Sequence, residues 1–263
     1  MNENIIIFYH VAQMPRWEYL FQQQINALLV SGLYDATNSV EICLNSPFKL
    51  SYSLPFNFSK FNVHVNENIV SEADTLKRMW EFANNTEENY KILYFHTKGI
   101  SYHFEKEALN VDGWRLYLEY FNIHKWKKCV DLLSYYDCVG TNFIHNPSVY
   151  YAKNLQFKSR TNKGFYNGNV WWANSNYIKT LDPDYLYDYE AEIRLNKFNL
   201  PENYILSESD KLNMVRFNSE LWLGTNNPNE FTFAKLDISF YEKNAMPYLE
   251  SFERIYEQRF SKE

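Results

Sequence analysis

The first hundred residues alternate between two spacings of apolar residues, and few folds accommodate that alternation. "IIIFYHVA" (5–12) is a short run rich in β-branched and aromatic residues, which reads as a buried first strand. From Trp17 the spacing becomes helical, through Leu20, Phe21, Ile25, Leu28 and Leu29, and Gly32 stands where a C′ glycine ends a helix. "VEICLN" (40–45) and "FNVHV" (61–65) read as strands, with a loop rich in Ser, Pro and Asn between them. "SEADTLKRMWEFANN" returns to helix: Ser71 with Asp74 resembles a capping box, and Leu76, Trp80 and Ala83 form the inward stripe. It leads into a strand over 90–96. The order β-α-β-β-α-β predicts an open α/β sheet.

Beyond residue 100 the helical pattern resumes in "DGWRLYLEYF" and "HKWKKCVDLL", and "YDCVGTNFI" returns to strand. The stretch 146–168 is long and polar and reads as a surface loop. "GNVWWA" reads as a strand, "NSNYIKTL" as a short helix and "YDYEAEIRLNKF" as another helix. "SELWLG" reads as a strand, and the tail from Asp237 as helix interrupted by Pro247. No repeat, linker or low-complexity block divides the chain. The expectation is one domain over 1–263, with a first half to about 110, a second to about 200, and a C-terminal extension over 201–263.

Composition narrows the function. A net charge of −6 disfavours nucleic acid as a partner, because binding a phosphate backbone needs a basic surface. No run of about 18 apolar residues occurs, so no membrane span is expected. The amino end lacks the basic residues of a secretory signal, and three unevenly spaced cysteines suggest neither a disulfide framework nor a zinc knuckle. A cytoplasmic location fits these features. Aromatic residues make up 19%, which suits either an AT-rich coding bias or sugar-stacking surfaces.

The strand over 90–96 ends in His96-Thr97-Lys98-Gly99. Ligands of open α/β sheets bind beyond the carboxyl ends of the strands. Lys98 brings a compact positive charge, Thr97 a hydroxyl, and Gly99 room for close backbone approach. A strand that simply ends in a Thr-Lys-Gly turn, with His96 half buried, is the plain alternative.

Taken in order, "IIIFYHVA", "FQQQINALLVSGLYD", "EADTLKRMWEFA", "ILYFHTKGIS", "DGWRLYLEYF", "YDCVGTNF" and "GNVWWANSNYIKTL" make the chain resemble the small GT-A glycosyltransferases of polysaccharide clusters and large DNA viruses. The resemblance covers most of residues 5–181 and little after about Leu200. It implies a GT-A, Rossmann-like α/β fold: a mixed central sheet flanked by helices, with a C-terminal helical tail. The first half would hold a nucleotide-diphosphate sugar and the second a glycan acceptor. Such enzymes place Asp-x-Asp on a divalent metal (Mn or Mg) after the strand equivalent to 90–96, and here His96-Thr97-Lys98 stands in that place. Either Lys98 balances the phosphate charge, or His96 and a distant carboxylate share a metal. The only literal Asp-x-Asp, Asp182-Pro183-Asp184, reads as a turn.

Sugar transfer then assigns candidate roles. Lys98, supported by Arg78 and Thr75, would meet the diphosphate, with His10 and the Val11 backbone beside the nucleotide; Arg78 equally suits a solvated helix face, and His10 a satisfied core-edge histidine. Glu192, Glu190 and Asp112, in that order, are candidate bases for inversion. Glu192 with Arg194 also suits plain surface charge, and Asp112 an N-cap. Asn167 and Asn169 would bond acceptor hydroxyls, and one of Trp171 and Trp172 would leave the core to stack on a sugar, with residues 145–166 as a lid. A catalytically silent nucleotide-sugar or glycan-binding module with the same fold is the alternative function.

Overall fold

In the computed structural model, which describes residues 3–45, 54, 58–66, 72–100, 105–145, 164–187, 208–236, 239–249 and 251, the expected alternation is realised. In chain order the elements are β1 (Ile5–Ala12), α1 (Trp17–Val30), α2 (Leu33–Ala36), β2 (Ser39–Asn45), β3 (Phe61–Asn66), α3 (Glu72–Asn84) and β4 (Lys91–His96). Then follow α4 (Glu105–Glu119), a π-helical segment (Tyr120–His124), α5 (Trp126–Leu132), β5 (Cys138–Gly140), β6 (Phe143–His145), β7 (Gly164–Tyr166) and β8 (Trp171–Asn174). The last are α6 (Ser175–Ile178), α7 (Glu208–Leu221) and β9 (Glu230–Thr232).

Seven strands form one mixed sheet in the order β3-β2-β1-β4-β8-β5-β9, with β8 antiparallel to both its neighbours and the other pairings parallel. The chain builds outward from β1 to β2 and β3, then crosses back to lay β4 on the other side of β1. That reversal is a topological switch point, and open α/β sheets take their ligands beyond the carboxyl ends of the strands at such a point.

The side-chain period of two sorts the strands onto two cores. Ile5, Ile7, Tyr9 and Val11 of β1, with Leu93 and Phe95 of β4, face α1, α4 and α5. Ile6 and Phe8, with Ile92 and Tyr94, face α3, α6 and α7. Both faces are covered, so β1 reads as a continuous apolar run instead of an alternating one. The expected α/β class, a mixed central sheet flanked by helices, is what the chain adopts.

Several local readings change. "SELWLG" is the end of α7 followed by a 3-10 turn, Trp222–Gly224, because a short apolar run buries equally well on a helix. Gly164–Tyr166, expected in a surface loop or lid, is a buried strand paired with β6. Asp112 lies in the middle of α4, since that helix begins at Glu105, so it is no N-cap. Asp182 Oδ1 accepts from the Asp184 backbone N–H at 2.9 Å, which is the turn expected there. Ser71, the helix expected over 187–198 apart from Tyr187, residues 146–163 and much of the C-terminal tail lie outside the described residues.

Helix α3 docks on the strand ends through two residues three apart, on one helix face. His10 and His96 are in register across β1 and β4. Thr75 Oγ1 lies 2.9 Å from His10 Nδ1, and Glu72 Oε1 lies 3.4 Å from His96 Nδ1. Asn45 Nδ2 donates to the same His10 Nδ1 at 3.3 Å, so the neutral ring carries its proton on Nε2. Burial pushes His10 down from 6.5 to about 4, with the charge of Glu72 opposing.

That shift fixes a pH dependence. Between pH 6.5 and about 4 the unfolded chain binds a proton at His10 that the folded chain refuses, so stability falls as pH drops through this window. The shift corresponds to about 3 kcal/mol. His10→Gln should flatten the decline; urea unfolding at neutral pH and near pH 4 measures it, and an unchanged slope would remove His10 as its source.

Candidate functional site

The site is built on the carboxyl edge of β1 and β4. Thr97 continues the ladder: its N–H donates to the His10 carbonyl at 3.1 Å, and its Oγ1 accepts from the Ala12 N–H at 3.2 Å. The His96 carbonyl is held from the other face by Gln24 Nε2 at 3.1 Å, and Tyr9 donates to Gln24 Oε1 at 2.7 Å. The strand end is therefore rigid. Gly99 has φ +89°, and a Cβ there would meet Val111 Cγ1 at 2.7 Å. The glycine admits a left-handed turn against α4, so its close approach is to this helix.

On the α3 side a ring of polar contacts closes. His96 Nε2 donates to the Gly168 carbonyl at 2.9 Å, which leaves Nδ1 facing Glu72. Glu72 Oε2 accepts from Tyr94 O–H at 2.8 Å and from Asn169 Nδ2. Asn169 Oδ1 in turn accepts from Trp171 Nε1 at 2.8 Å. Gly168 and Asn169 have φ +99° and +51°, two successive left-handed residues in one turn. Glycine adopts such backbone freely, and the surrounding hydrogen bonds hold Asn169 in it. Burial pushes the Glu72 carboxyl up, but His96, His10, Tyr94 and Asn169 together hold it at about 2. Burial pushes His96 down, and the Glu72 charge works against that.

Lys98 sits apart from this ring. It is 8% exposed, and its Nζ lies 3.8 Å from the centre of the Trp114 ring. Among the described residues the ammonium has no hydrogen bond and no ion pair. Burial lowers its pKa from 10.5, with Glu220 and Glu72 opposing. A buried cation whose one direct contact among the described residues is an aromatic face, with carboxylates acting on it only at longer range, is suited to take up an anion. Gln13, 3% exposed at the end of β1, has both amide atoms buried without a partner among the described residues.

The sequence-based candidates thus divide. His10, Thr75, His96, Thr97, Lys98 and Asn169 gather at one edge, and Val11 is buried in its strand beside them. Arg78 is exposed on α3. Asn167 is buried, its N–H bonded to the Asn142 carbonyl at 3.1 Å. Trp171 and Trp172 are 1% and 0% exposed, so neither leaves the core; β8 is interior to the sheet and helices cover both its faces. Asp112 pairs with Arg16 at 3.1 Å, on the α1 side. Glu190 and Glu192 lie outside the described residues.

Glu72, Tyr94, Gln13, Trp114 and Glu220 were not anticipated. Glu72 carried one usable signal, its spacing of three from Thr75. Among the described residues no three His, Cys, Asp or Glu side chains come together as metal ligands, and no helix is long and apolar enough to cross a membrane.

Comparison with known proteins bears on family. A candidate nucleotide-diphospho-sugar transferase from Desulfovibrio desulfuricans G20 is a solved structure to which this chain is similar at 9% identity and a TM-score of 0.41, over 98% of each chain. No curated protein matches. The model of a domain of unknown function, DUF8361, matches residues 44–229, more than half of the 263-residue chain. The chain belongs to the DUF8361 family.

Proposed function

We propose that this protein is a glycosyltransferase that takes a sugar from a nucleotide-diphosphate donor and passes it to a glycan acceptor. The observation that carries the reading is Lys98: a buried ammonium with no hydrogen bond or direct ion pair among the described residues, at the switch-point edge where α/β sheets take their ligands. The order of motifs that resembles small GT-A glycosyltransferases supports it.

Lys98 meets the diphosphate and offsets the charge that develops on it as the glycosidic bond breaks. Gln13 supplies, at the end of β1, a donor and an acceptor that have no partner among the described residues, which suits the edge of a nucleobase. Arg78, exposed and basic, lies on the same side as Thr75 and adds charge outside this edge. Transfer is read as inverting, with Glu192 or Glu190 taking the acceptor proton; the pairing of Asp112 with Arg16 makes it the weaker base.

One observation favours the silent binding module. Glu72, the carboxylate nearest His96, is fully engaged by its own neighbours. Incubation with nucleotide sugars separates the two: slow release of nucleoside diphosphate marks the enzyme, and tight binding with no release marks the module.

A charge-assisted hydrogen bond contributes roughly 1.5–3 kcal/mol, so Lys98→Ala should weaken nucleoside diphosphate binding about 10- to 100-fold and leave nucleoside binding unchanged. Equal losses on both ligands, by calorimetry, would end the phosphate role. Because burial lowers the Lys98 pKa, diphosphate affinity should begin to fall at a pH below the ordinary lysine value of 10.5, as the ammonium gives up its proton. Gln13→Leu should show the converse selectivity, losing nucleoside affinity while keeping that for inorganic pyrophosphate.

A further inference from the structure

A divalent cation on the donor diphosphate is what the GT-A resemblance implies, and the residues at the end of β4 do not fit one. Mg²⁺ and Mn²⁺ favour carboxylate, carbonyl and water oxygens, and a magnesium site needs near-octahedral room around it. Among the described residues the end of β4 offers one imidazole nitrogen, His96 Nδ1, and one carboxylate, Glu72. Glu72 Oε2 already accepts two hydrogen bonds, from Tyr94 and Asn169. Its Oε1 faces His96, whose other nitrogen is spent on the Gly168 carbonyl. The two side chains are only 12% and 14% exposed, which leaves little room for waters or phosphate oxygens around an ion.

What the ring does instead is mechanical. It joins α3 through Glu72, β4 through Tyr94 and His96, and the turn before β8 through Gly168 and Asn169. At this edge the Lys98 ammonium, over Trp114, has no direct ion pair or hydrogen bond among the described residues. We propose that the donor diphosphate is neutralised by Lys98 without a divalent cation, and that Glu72 and His96 form a latch holding the Gly168–Asn169 turn, instead of a metal site. This rests on the reading that a nucleoside diphosphate binds at this edge.

The test is calorimetric titration of UDP, GDP, ADP, CDP and dTDP into the full chain, in excess EDTA and again with manganese. For whichever binds most tightly, the two affinities should agree within about threefold, and Lys98→Met should lose about tenfold or more in both buffers. Glu72→Gln should keep the diphosphate affinity within about threefold and lower the melting temperature, as loss of a latch requires. A gain of about tenfold or more with manganese in the wild-type protein overturns the proposal, and the wild-type comparison needs no variant to fold. If Glu72→Gln then abolishes the gain, the pair is a metal site after all. Binding to no diphosphate in either buffer fells the underlying reading, and this proposal with it, which metal-dependent binding would not do.

Discussion

A carboxylate taken out of water destabilises a fold by several kcal/mol unless donors surround it, and Glu72 is where this chain meets that constraint. Tyr94 and Asn169, its two donors, come from a strand and a turn that are far apart in sequence, and His96 of the same strand faces its other oxygen. The carboxyl end of β4, the first turn of α3 and the left-handed pair Gly168–Asn169 are therefore fixed together. Removing one partner would leave the charge buried and unmatched, so the ring is cooperative. Its position explains why α3 sits where it does: Glu72 and Thr75 each meet one of two histidines placed side by side by the β1–β4 register.

The same register explains what could be read from the sequence. Runs such as "IIIFYHVA" and "KILYFH" announce central strands because burial on both faces removes alternation, and the helical spacing of 17–29 is equally plain. Gly32, at φ +74°, stands where a helix-ending glycine was expected. The β-α-β-β-α-β pattern announces an open sheet, while the order of its strands, with β4 beside β1, comes from the structure.

What escaped the sequence depended on covering layers and on distant partners. Adjacent tryptophans on a strand point to opposite faces, but whether each face is covered depends on helices elsewhere. Trp171 meets Tyr94 on the α3 side, while Trp172 donates to the Asn122 carbonyl on the other. "SELWLG" carries an apolar run too short to betray its period. Glu72 looks like any acid in the first turn of a helix, where negative charge is favourable anyway. Its partners lie 22 to 97 positions away, and no local spacing encodes such a meeting.

Lys98 poses the opposite problem to Glu72, because its charge is buried and left without hydrogen-bond partners among the described residues. The Trp114 face offsets part of that, by roughly 0.5–2 kcal/mol, which is less than the desolvation of an ammonium costs. Burial lowers the Lys98 pKa, and Glu220 and Glu72 oppose that in part. A chain under selection for stability alone would replace such a lysine with methionine or leucine, which fill the same space without the charge. An ammonium at this position makes sense if an anion binds there, for then the desolvation has been met during folding and the ligand gains the interaction in a medium of low dielectric. The rigid strand end supplies the other half of the argument: with Thr97 in the β1 ladder, the His96 carbonyl held by Gln24, and Gly99 turned against Val111, the lysine backbone has no freedom to lose when a ligand arrives.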